Sequence, residues 1–300
     1  MSELNTVVIV GSSLAGLRAA ETLRLEKYEG RIVIVGAEDR QPYDRPPLSK
    51  KVLSGEWEAD RISLRKPEDL AKLNIDWKLG SAATSLNTIT RTITLASGET
   101  IAFDGLIIAT GSGVRKLPNQ PDWNGVHVVR TLDDSLALRA NLNPGARVVV
   151  IGAGFIGLEV AATAKNRGCE VTVLEGAPAP MMRGLGADMG HAAALVHTDH
   201  GVSMRFNVKV AGLTEGEAGC VGGVALDDGE IVPADVVVVG IGVAPATQWL
   251  ENTELELRDG VVCDTTLNAG LPGIYAAGDV CRWFNNLYDQ EMRVEHWTTA

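Results

Sequence analysis

Residues 147–175 read RVVVIGAGFIGLEVAATAKNRGCEVTVLE. The apolar run Val148 to Ile151 has the composition of a buried parallel strand and feeds the turn Gly152-x-Gly154-x-x-Gly157. An Ala- and Leu-rich helical stretch follows, and a second apolar run, Val171 to Leu174, ends at Glu175. Together these make one βαβ unit. The spacing has a physical purpose: the first glycine lets the chain turn sharply, the second lets backbone approach a pyrophosphate, and the third lets helix pack on strand. Free N–H groups at the helix start face the phosphates, where the helix dipole favours negative charge. Glu175 is placed to accept hydrogen bonds from the ribose hydroxyls of an adenosine and to repel a 2′-phosphate, so the site favours NAD over NADP.

The same pattern stands at the N-terminus. Thr6 to Gly16, TVVIVGSSLAG, gives a strand running into a turn; a helix over Leu17 to Leu25 and a second strand, Arg31 to Val35, lead to Glu38. Two such units predict an α/β protein with two Rossmann-like dinucleotide-binding domains and two nucleotide cofactors. Ser13 replaces the second glycine. Its Cβ crowds a pyrophosphate, while its hydroxyl can donate to a phosphate oxygen. Directly after Glu38 comes Gln41 to Lys50, QPYDRPPLSK, whose adjacent prolines fix φ and predict a rigid loop without regular helix. That loop would present Arg45 and Lys50 to a cofactor.

Composition narrows the partners. The formal net charge of −11 argues against nucleic acid and anionic membrane as general partners. The four cysteines, at 169, 220, 263 and 281, form no C-x-x-C or C-x-x-x-x-C pair, which excludes a sequence-local dithiol and reads as reduced cytoplasmic thiols. The N-terminus has no signal pattern, and no apolar run approaches the ~20 residues that span a bilayer. A soluble cytoplasmic protein is expected. His191, His197 and His200 sit near Asp188 and Asp199, but only His197 and His200 have i, i+3 spacing and no Cys or Glu completes a ligand set, so they read as solvated or capping residues.

The remaining stretches frame these units. Ile75 to Ile101 alternates apolar and polar residues between turns and predicts a small antiparallel hairpin or meander. Phe103 to Gly111 reads as a buried strand ending at Thr110-Gly111, and Val114 to Asn124, with two prolines, as a linker. Met204 to Val210 and Val221 to Leu226 read as strands, with Asp227-Asp228-Gly229 as a hairpin turn. Asp235 to Pro245 and Gly273 to Asp279 read as buried strands ending in a glycine turn and at an acidic residue.

Gly11 to Gly16, Tyr43-Asp-Arg-Pro-Pro-Leu-Ser-Lys50, Ala109-Thr-Gly111, Gly152 to Ala161, Ala276-Ala-Gly-Asp279 and Glu295-His-Trp297 occur in that order. In this the sequence resembles the FAD-dependent NADH:ferredoxin reductases that feed electrons to bacterial oxygenases and cytochromes P-450, over essentially its whole length. The resemblance implies an FAD-binding domain from 1–113 and 245–300, discontinuous, and an NAD-binding domain from 114–244. It implies FAD against Gly11, Ser13, Ala15, Gly16, Glu38, Arg45, Pro46, Lys50, Ala83, Thr110, Gly111, Arg130, Asp279 and Trp297. Asp279 would accept the ribityl hydroxyls, the Ala83 backbone would meet the adenine, and Arg130 the flavin nucleotide. NAD would lie against Gly152, Gly154, Ile156, Gly157, Glu159 and Glu175, with Ile241 and Gly242 bordering the nicotinamide. Lys50 and Glu159 form the expected catalytic pair, holding positive charge near the flavin.

The implied activity passes electrons from NADH through FAD to a 2Fe-2S ferredoxin. Relatives of this kind continue into a third, C-terminal domain, which the resemblance implies is missing after Ala300. Three other readings remain open on sequence: a redox-sensing protein similar to apoptosis-inducing factor, a disulfide or peroxide reductase of the same architecture, and a flavin-free nucleotide-binding scaffold. The disulfide reductase is disfavoured because QPYDRPPLSK contains no cysteine.

Overall fold

A computed structural model describes residues 4–297. Its contacts divide the chain into two compact units. The first comprises residues 1–44, 63–113 and 244–300, and the second residues 45–62 and 114–243. The second therefore includes a stretch, 45–62, that a boundary drawn at 113 assigns to the first.

In the first unit, β1 (Thr6–Val10), α1 (Leu14–Leu25) and β2 (Arg31–Val35) form the predicted βαβ element, the helix beginning three residues before the predicted Leu17. The sheet runs Ile274–Ala276, Gly105–Ile108, β1, β2, Ile75–Lys78, all parallel. Both faces of β1 are covered: Val8 and Val10 pack in one apolar cluster, Val7 and Ile9 in another. That is why the strand reads as continuous hydrophobicity rather than alternation. Ile75–Lys78 corrects the sequence reading, because it joins this parallel sheet and the antiparallel meander is only Ala83–Asn87, Thr92–Leu95 and Thr100–Ala102.

The second unit repeats the plan. After α2 (Leu132–Asn141), capped by a reciprocal Thr131–Asp134 box, come β3 (Arg147–Ile151), α3 (Phe155–Asn166), β4 (Glu170–Leu174) and α4 (Met182–Asp199). Its parallel sheet runs Ser203–Arg205, β4, β3, Val236–Val239, Val126–His127. A separate antiparallel sheet holds Val210–Glu215, Val221–Leu226 and Ile231–Pro233, the last two joined by the predicted turn, where Gly229 has φ +90°. Met204 to Val210 is not one strand. Asn207, at φ +55°, breaks it into an end that joins the parallel sheet and a start that joins the antiparallel one.

The PPLS segment is a second correction. Pro46–Ser49 forms one turn of 3₁₀ helix, and Lys51–Ser54 a short α-helical turn closed by Gly55 at φ +84°. Prolines bar a helix interior, but at the first two positions no intrahelical N–H bond is required and their fixed φ suits the turn.

His127, on the edge strand, has its Nε2 buried without a partner among the described residues, and burial holds its pKa below the ordinary histidine value against the opposing pull of Asp134. The unfolded chain therefore binds this proton more readily. Stability is expected to fall as the pH drops through about 6.5, and His127→Phe should flatten that dependence in urea unfolding.

Candidate dinucleotide sites

Each unit builds the same glycine turn from the same contacts. Gly11 has φ +125°, and a Cβ there would lie 1.9 Å from the Ala109 carbonyl oxygen; Gly152 has φ +99°, and its Cβ would lie 2.4 Å from the Gly240 oxygen. A Cβ on Gly16 would meet the Gly11 oxygen at 1.8 Å, and one on Gly157 the Gly152 oxygen at 2.2 Å. The outer glycines of each motif are thus forced by backbone approach, between strand ends and between turn and helix. The middle position is different. Ser13 and Gly154 are both N-caps with extended backbone, φ −92° and −74°, which any residue adopts. Glycine is therefore not required for conformation at either. A Cβ on Gly154 would meet nothing within 4 Å, so the space above the start of α3 is open to a phosphate. Both turns fit a dinucleotide.

The carboxylates that follow each unit are engaged. Glu175 accepts the Ala153 N–H at 2.7 Å on Oε2 and the Ala177 N–H at 2.8 Å on Oε1. It therefore clamps the glycine turn itself, a contact that spacing does not reveal. Glu38 accepts the hydroxyl of Tyr43, which is buried.

Other expected residues of the first unit gather in part around its turn. Gly278, at φ +73°, would bring a Cβ within 3.0 Å of the Ala15 Cβ, so the short turn carrying Asp279 lies against the start of α1. The Asp279 carbonyl accepts from Arg293 at 3.0 Å. Thr110 donates to the Ala246 carbonyl at 2.8 Å, and Gly111, at φ +66°, accepts the Ala246 N–H at 2.9 Å. Ala83 begins the meander, half-buried against the core, and Trp297 is half-buried at the end of the described residues.

In the second unit Phe155 and Ile156, the first residues of α3, are 55% and 41% exposed. Ile241 packs on the core, and Gly242, at φ +99°, accepts the Arg115 N–H at 3.0 Å. The 45–62 stretch is anchored here: Arg45 donates to the Arg130 carbonyl at 2.6 Å, whose N–H donates to Asp134 at 3.0 Å. Pro46 opens the 3₁₀ turn and Lys50 ends it. Lys50 Nζ lies 2.6 Å from Glu159 Oε2, so the pair expected from resemblance is formed. Two contributors escaped the sequence reading. Tyr43 holds Glu38, and Ser49 donates to Glu159 Oε2 at 2.6 Å; both stand inside the quoted loop, but only the fold shows what they touch. Among the described residues no group of His, Cys, Asp and Glu could hold a metal, and no helix is long and apolar enough to cross a membrane.

Residues 5–300 match the family described as pyridine nucleotide-disulphide oxidoreductase. The chain belongs to this family. Within it, the family member is 38% identical over 281 residues to the ferredoxin–NAD(+) reductase component of a biphenyl dioxygenase system from Paraburkholderia xenovorans, covering 93% of this chain and 68% of that protein. It is also 38% identical over 278 residues to a rhodocoxin reductase from Rhodococcus erythropolis, covering 91% and 64%. Among solved structures, it superposes on a covalent putidaredoxin reductase–putidaredoxin complex with a TM-score of 0.95 at 34% identity, over 98% of this chain and 72% of that one. The chain thus spans roughly two thirds of these relatives' length.

Proposed function

We propose that this family member is the nucleotide-binding portion of an NADH-dependent flavoprotein reductase that passes electrons to a small 2Fe-2S ferredoxin serving an oxygenase or cytochrome P-450. The observation that carries the reading is the duplicated glycine turn, with matching forced contacts at Gly11 and Gly16 and at Gly152 and Gly157. Two dinucleotide cradles in one chain suit FAD in the first and NAD(H) in the second. The ferredoxin–NAD(+) reductases that it matches support the acceptor. They also favour this reading over the sensor and the disulfide reductase, as does the lack of cysteine in the 41–50 loop. We place it in the cytoplasm, where its four free cysteines stay reduced.

FAD, when bound, accepts a hydride as two electrons and releases them singly. The residues bind and orient. N–H groups of the glycine turns and helix starts face the phosphates, Glu38 and Glu175 take the two adenosine riboses, and Asp279 the ribityl chain. Lys50 supplies positive charge toward the flavin and Glu159 holds that charge in place, a fixed electrostatic arrangement that needs no reorganisation during transfer.

Anaerobic titration of the purified protein with NADH, with NADPH in parallel, tests the reading. Bleaching of a flavin band at a much lower concentration of NADH than of NADPH is expected. A colourless protein, or a flavin band that neither nucleotide changes, sinks it.

A further inference from the structure

The hydroxyl of Ser49 is 4% exposed with its residue and donates to Glu159 Oε2 at 2.6 Å. Lys50 Nζ donates to the same oxygen at 2.6 Å, to Ser49 Oγ at 3.3 Å and to the Pro46 carbonyl at 2.9 Å. One carboxylate oxygen therefore takes two donors, a neutral one on a short fixed side chain and a charged one on a flexible stem. The pair itself is open to water, with the Lys50 side chain 45% and the Glu159 side chain 33% exposed. Ion pairs so exposed are weak and lose side-chain entropy in holding one geometry. Something else must fix the carboxylate.

The fixing comes from beneath. Thr163, one helical turn beyond Glu159 on α3 and buried, donates to the Ser49 carbonyl at 2.9 Å. Ser135, on α2 and fully buried, donates to the preceding carbonyl, that of Leu48, at 2.6 Å. Ser49 is thereby tied to the same helix that carries its acceptor. We propose that Ser49 is a positioning residue: its hydroxyl, held by the Thr163 bond to its own carbonyl, fixes the Glu159 carboxylate in the orientation that ties down the Lys50 ammonium. The consequence for turnover rests on the assignment of Lys50 to the flavin made above; the hydrogen-bond relation does not.

The test labels lysines of the flavin-loaded protein with acetic anhydride at fixed pH and scores Lys50 against Lys51 by peptide mass spectrometry. Only an untethered, transiently neutral amine reacts. Ser49→Ala should raise Lys50 labelling roughly three- to tenfold, the scale of a typical net hydrogen-bond contribution in a partly exposed site. Thr163→Val, which removes the tether at nearly constant volume, should raise it as well. Ser135→Ala loosens the same turn without touching the tie between α3 and Ser49 and should leave it unchanged. No rise in Ser49→Ala, or an equal rise in Ser135→Ala, overturns the proposal. The flavin midpoint potential, measured on the same Ser49→Ala protein, should fall below wild type. If labelling rises while the potential stays fixed, the positioning role stands and the assignment of Lys50 to the flavin fails.

Discussion

Gly11→Ala should purify without flavin colour and melt well below the wild type. Its Cβ would lie 1.9 Å from the Ala109 oxygen and 2.4 Å from the Ala109 carbon, both backbone atoms that cannot rotate away. The residue would also have to hold φ +125°, outside the regions that L-residues occupy with ease. The two penalties reinforce each other, because relieving the contact moves the Val10–Gly11 turn away from the Gly105–Ile108 strand end, where the Ala109 N–H is bonded to the Val10 carbonyl at 2.7 Å. A loss beyond ~4 kcal/mol, at the severe end for single substitutions, is expected. Ser13→Gly is the matching control. Ser13 already has an extended backbone, so removing its side chain relieves no strain, and the variant should keep its flavin. Thermal melts and the flavin absorbance of both proteins check the pair; equal behaviour of the two would mean that the turn is not held by close approach.

The second large effect is on nucleotide choice. Glu175→Ala should lower the ratio of kcat/KM for NADH over NADPH by roughly 10- to 100-fold, the scale of one or two charge-assisted hydrogen bonds. Two losses combine in it. The ribose acceptor and its repulsion of a 2′-phosphate disappear, and the N–H groups of Ala153 and Ala177 lose the oxygens that they reach at 2.7 and 2.8 Å. Glu175→Gln separates them: its amide keeps one acceptor oxygen but no negative charge. It should therefore relax selectivity while raising KM for NADH less than Glu175→Ala does. A Glu175→Gln protein with full NADH selectivity would show that the carboxylate serves only to brace the turn.

The duplicated βαβ units were legible because each is local: strand, turn, helix and acid lie within one short stretch, and glycine spacing reports contacts that a Cβ cannot make. What escaped was non-local. Ile75–Lys78 alternates like a meander strand, and only its distant pairing with Arg31–Val35 makes it a parallel edge. Pro46–Ser49 looks irregular in sequence because proline breaks helix interiors, yet the same residue suits a first turn. The site divided the same way. Lys50 and Glu159 came from resemblance and meet at 2.6 Å, but the tie through Ser49 and Thr163 depends on helix facing and packing, which no spacing along QPYDRPPLSK encodes. Spacing marks Glu175 as a ribose acceptor, yet its hold on Ala153 runs back across the whole βαβ unit.

The division of the chain into units at 44/45, 62/63, 113/114 and 243/244 sets an order for biosynthesis. A ribosome making this chain releases the βαβ start of the first unit long before that unit can close, since its edge strand Ile274–Ala276 comes after the whole of the second unit. The second unit receives its last parallel strand, Val236–Val239, earlier. The second unit therefore completes its sheet first, and the Gly105–Ile108 strand of the first waits with one edge unpaired, a period of exposure to aggregation and chaperones that a contiguous two-domain chain avoids.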